Sequence, residues 1–171
     1  MNLKTLKKEI LKGKIFIYPT DTVYGIGCNA FDKKSVDKIR RIKRRDTKPF
    51  SIIAPNFDWI QEYCIIQSDF KKYLFGPYTI ILKKKNPSFL KWVSDTETLG
   101  VRMPNHPFTK KIQKTYIPFI TTSVNFSGEK SSSSIDEIPK EILDAVDYVI
   151  QGGILNERPS TLIIEGKESK R

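Results

Sequence analysis

Small hydroxyl and amide residues follow two apolar runs in the sequence and are the clearest candidates for chemistry. Residues 19–27 (PTDTVYGIG) come after residues 15–18 (IFIY), and residues 121–128 (TTSVNFSG) come after residues 118–120 (PFI). A strand that ends in hydroxyls and glycines can present polar groups from a rigid edge. Two such strand ends, with cationic residues between them in the sequence, predict one pocket for an anionic ligand.

The second of these segments places two polar side chains at alternate positions. Alternate residues of an extended chain point to the same side, so Ser123 and Asn125 would share one face while Val124 points to the core. A hydroxyl and a carboxamide on one face can hold phosphate oxygens or the edge of a base. The same residues are equally typical of an Asx or Ser turn before Gly128, and both interpretations stay open.

Four cations lie within six positions at and after the end of a predicted helix: Lys43, Arg44, Arg45 and Lys48. Each of them alone fits a solvated helix end, where a positive charge complements the helix dipole. Like charges this close together repel one another unless an anion relieves the repulsion, which favours a phosphate site.

Arg102 is a cation inside an apolar strand, between Val101 and Met103. Burying it without a counter-charge would be costly, so it needs a carboxylate, either an internal aspartate or glutamate or that of a ligand. An internal salt bridge is the default interpretation.

His106 is the sole histidine of the chain and precedes Pro107. Proline is favoured at the first position of a helix, so His106 is interpreted as a helix cap rather than as a catalytic group. The sequence contains no Ser/His/Asp set, no paired acid and base carboxylates and no Walker A loop. No catalytic residue is assigned, and the chemistry is expected to depend on positioning and charge neutralisation.

The chain has 171 residues, with 30 lysines and arginines against 19 aspartates and glutamates, a formal net charge of +11. This length fits a single domain over 1–171. This positive charge is typical of proteins that bind an anionic partner, such as a nucleotide, RNA or lipid, but a general bias towards lysine would give the same net charge.

Two cysteines without a CxxC pair argue against a metal site or disulfides and favour a reducing cytoplasm. No segment resembles a signal peptide or a membrane span, so a soluble protein is expected.

Hydrophobic periodicity predicts a mixture of helices and strands. Helices are expected over 3–12, 33–44, 107–115 and 137–144, with one or two more within 56–75; Asp32 or Ser35 would cap the helix over 33–44. Strands are expected over 15–18, 50–54, 78–82, 100–103, 119–122, 146–150 and 161–164. Loops are expected over 20–27 and 130–134. These elements mix without strict alternation. The prediction is therefore an α/β fold with a twisted mixed sheet, helices on the outside and ligands bound outside the strand ends.

Six motifs in order resemble the YrdC family, the L-threonylcarbamoyladenylate synthases. From about residue 14 to 164 they read PTDTVYGIGCNA, IKRRDTKPFSII, GPYTIIL, GVRMPNHP, TTSVNFSG and STLII. The resemblance implies a sheet around a basic concave cavity that binds ATP, L-threonine and bicarbonate or CO2. It also implies a reaction that yields threonylcarbamoyl-AMP and pyrophosphate, the first step of tRNA t6A37 modification. The resemblance implies that ATP is a substrate, bound as its Mg2+ complex, and that the product passes to the tRNA threonylcarbamoyl-transferase machinery.

The resemblance also assigns residues. Those that fall on nucleotide positions are Lys43, Arg45, Ser123 and Asn125, with Thr98 and Ser131 as weaker matches, and those that fall on threonine positions are Thr22, Arg102, Thr121 and Ser160. Arg102 is the expected partner of the threonine carboxylate, whereas Gly76, Pro77 and Thr79 are expected to be structural. The basic segment is one residue shorter than in many relatives, which leaves open whether Arg44 or Arg45 meets the phosphate. Arg171 is a candidate for a late arginine that relatives carry.

Two other functions remain open at this point. The charge of +11 and a basic concave surface would also suit an RNA-binding module, whose binding should weaken steeply with salt. The same fold occurs in carbamoyltransferases of hydrogenase maturation, which have a similarly short basic motif but additional domains.

Overall fold

A computed structural model describes residues 1–66 and 70–169. Within them, the strands are β1 (Phe16–Tyr18), β2 (Gly25–Gly27), β3 (Ser51–Ile53), β4 (Cys64–Ile65), β5 (Tyr78–Lys84), β6 (Thr98–Arg102), β7 (Phe119–Ser123), β8 (Tyr148–Val149), β9 (Thr161–Ile164) and β10 (Lys167–Ser169). The α-helices are α1 (Leu3–Leu11), α2 (Lys33–Lys43), α3 (Phe57–Tyr63), α4 (Pro107–Gln113) and α5 (Lys140–Asp144), and short 3-10 helices cover Phe70–Tyr73 and Ile135–Glu137.

The strands form one sheet in the order β10-β9-β5-β6-β3-β7-β2-β1-β8, with β4 paired to β5. The pairs β3–β6, β5–β9 and β1–β8 are parallel, and the other pairs along this order are antiparallel. The predicted fold class, α/β with a twisted mixed sheet, is confirmed.

Strand β1 shows why helices lie on both faces of the sheet. Its residues alternate between faces, so Ile15 and Ile17 join one apolar cluster while Phe16 and Tyr18 join another. The first cluster includes residues of α2, and the second contains residues of α1 and α4. Because both faces of the sheet are covered, β1 is apolar at every position.

Side-chain caps fix where the helices begin. Asp32 caps α2 by accepting a hydrogen bond from the Lys34 amide at 3.1 Å, whereas Ser35, the other candidate, donates to the Gly13 carbonyl at 2.7 Å. His106 caps α4 through Nδ1, which accepts from the Phe108 amide at 3.2 Å. The structural interpretation of His106 is confirmed.

Residues 20–27 were expected to form a loop, but Gly25–Gly27 is strand β2, between β1 and β7. Two of its three residues are glycine, which is a poor strand former, so residue propensities do not predict this strand. At Gly27 a side chain is sterically excluded, since an added Cβ would lie 1.9 Å from the Ile120 carbonyl oxygen. The glycine is there because two backbones approach each other closely.

The segment 56–75 contains an α-helix and a 3-10 helix, in agreement with the one or two helices predicted, but β4 lies between them. Only Phe57–Tyr63 is α-helical, the chain then extends into β4, and a single 3-10 turn follows; residues 67–69 of the segment lie outside the described residues. Strand β6 begins two residues before its predicted start, β8 is shorter than predicted, and β10 was missed. Short edge strands carry little hydrophobic pattern, so pairing alone defines them.

Candidate functional site

A cavity of about 780 Å³ opens where β5, β6, β7 and β9 meet the segment after α2. All ten residues that the family resemblance assigned to the nucleotide or to threonine lie in its lining: Thr22, Lys43, Arg45, Thr98, Arg102, Thr121, Ser123, Asn125, Ser131 and Ser160. These residues come from segments spread over the length of the chain. The sheet order therefore brings together the groups that the sequence motifs carry separately.

Lys43, the last residue of α2, is almost fully buried at the cavity wall, with 1% of its surface exposed. Its ammonium donates to the Ser123 carbonyl, to the Asn125 carbonyl at 2.8 Å and to Asn125 Oδ1 at 3.0 Å. Burial, together with a smaller contribution from the nearby charge of Arg45, lowers the pKa of Lys43 to about 7. An anion beside this ammonium would favour its charged form.

The residues after Lys43, 44–49, are named the basic loop. Arg44 takes a left-handed conformation at the C-cap of α2, with φ of 51°, and turns the chain. Its side chain stacks on Phe126 and donates to Glu141 Oε2 at 2.8 Å, and it is not part of the cavity lining. Arg45 and Lys48 do line the cavity, so Arg45 rather than Arg44 is the arginine that faces it.

Arg45 is held by its own loop as well as by β7. Its guanidinium donates to the carbonyls of Lys48, at 3.1 Å, and Pro49, and to Thr122 Oγ1 at 3.3 Å. Its Cζ atom lies 4.8 Å from the centroid of the Phe50 ring. The orientation of this cation at the cavity wall is thus fixed before any ligand binds.

Ser123 and Asn125 both line the cavity, while Val124 between them is fully buried in the core, as the alternation predicts. Ser123 Oγ donates to Asn125 Oδ1 at 2.8 Å, and Asn125 Nδ2 donates to the Glu129 carbonyl at 2.6 Å. The two interpretations left open by the sequence are therefore compatible: the residues make local turn contacts and also face the cavity.

Arg102 has an internal carboxylate partner, which confirms the default interpretation. One guanidinium nitrogen donates to Asp21 Oδ1 at 2.8 Å and to Thr22 Oγ1 at 3.4 Å. The second oxygen of Asp21 accepts from the Asn105 amide at 3.0 Å. Arg102 nevertheless lines the cavity, so the ion pair fixes its direction without removing it from the site.

Hydroxyl groups extend the site beside Arg102. Thr121 and Ser160 are 4% and 3% exposed, and both line the cavity. Ser160 Oγ and Thr79 Oγ1 are 2.8 Å apart and share a hydrogen bond. Thr79 was expected to be structural only, and the structure adds it to the cavity lining because its strand, β5, lies beside β9.

Sequence reasoning missed most of the hydroxyls between β5 and β6. We name residues 85–97 the hydroxyl loop; its Ser94 and Thr96 line the cavity next to Thr98 of β6. Ser94 Oγ donates to the Thr98 carbonyl at 2.7 Å, and the hydroxyls of Thr96 and Thr98 are 3.1 Å apart. The signal in the sequence was the spacing of two between these residues, the same spacing that drew attention to Ser123 and Asn125.

Other features bear on what the site could hold. In residues 1–66 and 70–169, no group of three or more histidine, cysteine, aspartate or glutamate side chains is arranged to bind a metal ion. Cys28 and Cys64 are free and buried. None of the described helices has the length and apolar character needed to span a membrane. Arg171, the candidate late arginine, lies outside the described residues.

Comparisons with known proteins agree with the motifs. The family model Sua5/YciO/YrdC, described as telomere recombination, matches residues 8–170. A putative threonylcarbamoyl-AMP synthase of Methanocaldococcus jannaschii is 44% identical over 167 residues, which are 94% of this chain and 79% of the relative.

Two solved structures share the fold. P. abyssi Sua5 complexed with L-threonine is 27% identical, with a TM-score of 0.83 over 96% of this chain. Full-length HypF in its phosphate- and nucleotide-bound form is 25% identical, with a TM-score of 0.84 over 95% of this chain. The present chain spans about half of that Sua5 chain, 51%, and about a quarter of HypF, 27%.

Proposed function

The chain belongs to the Sua5/YciO/YrdC family, and from this premise we propose that it is an L-threonylcarbamoyladenylate synthase. It forms threonylcarbamoyl-AMP and pyrophosphate from L-threonine, bicarbonate or CO2, and ATP, as the first step of tRNA t6A37 biosynthesis. The named relative is a putative synthase of this product, and the related Sua5 and HypF structures hold L-threonine and a nucleotide, respectively. In enzyme class it is a nucleotidyltransferase.

One observation carries the proposal: a cluster of cations and a buried arginine share one cavity. We name the wall around Lys43, Arg45 and Lys48 the cationic end, and the wall around Arg102 and Asp21 the arginine end. The cavity volume of about 780 Å³ lies within the range of about 300 to 1,000 Å³ that is usual for small-molecule sites. It can therefore hold a nucleotide and an amino acid side by side.

At the cationic end, Lys43 and Arg45 bind the phosphates of ATP, and Ser123 and Asn125 contact the nucleotide through their side chains. Thr98 adds a polar contact from the start of β6, and Ser131 adds one from the loop that follows β7. The clustered positive charge of this end stabilises the negative charge that develops on the α-phosphate during attack. Mg2+ enters with ATP on the phosphate oxygens, and no permanent cofactor is needed.

At the arginine end, Arg102 binds the carboxylate of L-threonine, and the hydroxyls of Thr22, Thr121 and Ser160 surround the amino acid. The threonine amine and bicarbonate join into a carbamate with loss of water. A carbamate oxygen then forms a bond to the α-phosphorus, the bond between this phosphorus and the bridging oxygen breaks, and pyrophosphate leaves. Fixing both reactants in one cavity provides the main rate enhancement, because the encounter becomes intramolecular.

The biological setting belongs to the same proposal. The adenylate is labile and passes to the tRNA threonylcarbamoyl-transferase machinery, with weak tRNA contact through the basic surface. Residues 1–171 act as one YrdC-like domain, which the continuous sheet supports. The cytoplasm, where ATP is available and thiols stay reduced, is the compartment, in keeping with two free cysteines.

The test is pyrophosphate release by the full chain, with each substrate omitted in turn. We expect release only when ATP, bicarbonate and L-threonine are all present, together with a threonylcarbamoyl-AMP peak in the mass spectrum. Release that does not depend on threonine would contradict the proposal and favour the carbamoyltransferase-type reaction. Tight, salt-sensitive RNA binding without nucleotide turnover would favour the RNA-binding module.

Two neighbouring arginines provide a matched pair of variants for this assay. Arg45→Ala removes a cation that faces the cavity, whereas Arg44→Ala removes one that pairs with Glu141 outside it. The Arg44–Glu141 pair is solvent-exposed on both sides, and such pairs contribute little stability. We expect Arg45→Ala to reduce turnover strongly and Arg44→Ala to leave it close to that of the unmodified protein.

A further inference from the structure

Arg40, in the last turn of α2, has a role that neither the motifs nor the comparisons assign. We propose that Arg40 is a positioning residue that joins the basic loop to the hydroxyl loop and so fixes the distance between these two walls of the cavity. It does not line the cavity, and it acts through the two loops that do. Only the expected effect of Arg40 on ATP binding rests on the function proposed above; the connection between the loops does not.

The two terminal nitrogens of the guanidinium donate to different loops. Nη1 donates to the carbonyls of Asp46, at 3.3 Å, and Lys48, at 3.1 Å, both in the basic loop. Nη2 donates to the carbonyls of Trp92, at 3.0 Å, and Val93, at 3.2 Å, both in the hydroxyl loop. One rigid planar group thus connects backbone atoms that are more than forty residues apart in sequence.

Phe50 completes the connection between the loops. Its ring is 1% exposed and lies 4.5 Å from Arg40 Cζ and 4.8 Å from Arg45 Cζ, measured to the ring centroid. Its amide donates to the Val93 carbonyl at 2.9 Å, the same oxygen that Arg40 uses. The position of Arg45 is therefore linked to that of Arg40 through a shared ring and a shared loop.

The hydroxyl loop also depends on a second buried cation. Lys84 is 1% exposed, and its ammonium donates to the carbonyls of Phe89, at 3.1 Å, and Ser94, at 3.0 Å. Lys84 holds the hydroxyl loop to β5 alone, whereas Arg40 is bonded to both loops. Loss of the Arg40 side chain would therefore let the basic loop and the hydroxyl loop move relative to each other.

Lysine cannot replace this arrangement fully. A guanidinium presents five donors in a fixed plane and can serve four carbonyls on two sides, whereas an ammonium is a compact point charge with three donors. Arg40→Lys keeps the charge and much of the stem but loses the two-sided geometry. Arg40→Met removes the charge as well. Arg41→Met is the matched control, because Arg41 is the next residue of α2 and is solvent-exposed.

The first measurement is hydrogen exchange of the unliganded protein, which does not depend on the proposed function. In Arg40→Met we expect faster exchange in both 46–50 and 92–94, with intermediate rates in Arg40→Lys and unchanged rates in Arg41→Met. Unchanged exchange in either loop of Arg40→Met would overturn the proposal. Acceleration spread evenly over the whole sheet would also overturn it, since it would mean general destabilisation.

The second measurement is ATP and L-threonine affinity by calorimetry. We expect Arg40→Met to weaken ATP binding about tenfold, equivalent to about 1.4 kcal/mol, and to leave threonine binding nearly unchanged. In an Arg45→Ala background the effect of Arg40→Met on ATP should be clearly smaller, because residues that act through one another are not additive. Additive losses, or equal losses for both ligands, would overturn the proposal. A protein that shows the exchange pattern but binds no ATP would contradict the proposed function and leave the loop connection standing.

Discussion

The cationic end and the arginine end of the cavity both contain buried positive charge, but they hold it differently. At the cationic end, the Lys43 ammonium is bonded to two carbonyls and one carboxamide, which are neutral groups. At the arginine end, Arg102 is paired at 2.8 Å with Asp21, a carboxylate that the Asn105 amide also holds. Neutral dipoles surround the Lys43 ammonium, whereas a carboxylate balances the charge of Arg102 inside the protein.

This difference suits two different kinds of ligand. Clustered positive charge at the cationic end attracts a polyanion such as a triphosphate, because phosphate oxygens form charge-assisted hydrogen bonds with ammonium and guanidinium groups. The arginine end is neutral as a unit, so it fits a zwitterion such as an amino acid, for which orientation matters more than net attraction. In this respect Asp21 is as important to the site as Arg102, because it sets the direction in which the guanidinium points.

The largest effect that would test this contrast is the loss of Arg102. We expect Arg102→Ala to weaken L-threonine binding by about 2 to 4 kcal/mol, because a charged bidentate contact is lost, and to change ATP binding much less. Calorimetry with each ligand separately measures the difference. Because the change also leaves Asp21 unpaired, thermal unfolding is followed in parallel, and Arg102→Lys serves as a second variant that keeps a charge beside Asp21. Equal losses for ATP and threonine would mean that the ends are not separate.

Removing the internal counter-charge is expected to have a smaller effect. Asp21→Asn keeps the size of the side chain but replaces a charge-assisted hydrogen bond with a neutral one, so we expect the free energy of unfolding to fall by about 1.5 kcal/mol. Denaturant unfolding measures this loss. Asp46→Asn, an exposed carboxylate on the basic loop, is the control and should be nearly neutral. An unchanged stability in Asp21→Asn would show that the ion pair is not what balances Arg102.

The smallest expected effect is the uptake of a proton by Lys43 when ATP binds. Since burial lowers the pKa of Lys43 to about 7, the side chain is largely the neutral amine at about pH 8.5 in the unliganded protein. A bound phosphate favours the charged form, so ATP binding at that pH should take up close to one proton, and the affinity should fall as the pH rises above about 7.

Calorimetry in buffers of different ionisation enthalpy measures this proton uptake. Threonine binding at the arginine end should show no comparable uptake, and Lys43→Met should abolish it for ATP. Uptake that persists in Lys43→Met would assign the proton to another group and weaken the contrast between the two ends.

The sequence predicted the fold class and most of the elements well where their apolar pattern was long or bounded by strong signals. Helix α2 was predicted to within one residue at its end, and both Asp32 and His106 were recognised as candidate caps. Prediction failed where the pattern was short or glycine-rich. Strand β2 contains two glycines, and β4 and β10 are edge strands of two and three residues, so pairing with a neighbour rather than local preference creates them.

The candidate site, like the fold, was predictable from the sequence only in part. The sequence alone determined the kinds of groups at each strand end, and a motif spacing of two placed Ser123 and Asn125 on one face, because a strand has a period of two. It could not determine which distant groups meet. The partner of Arg102 lies 81 residues away, the left-handed cap at Arg44 decides which arginine faces the cavity, and Arg40 connects loops that only the sheet order brings together. Local pattern fixes side-chain chemistry and direction, whereas contacts between remote segments depend on how all the strands pair.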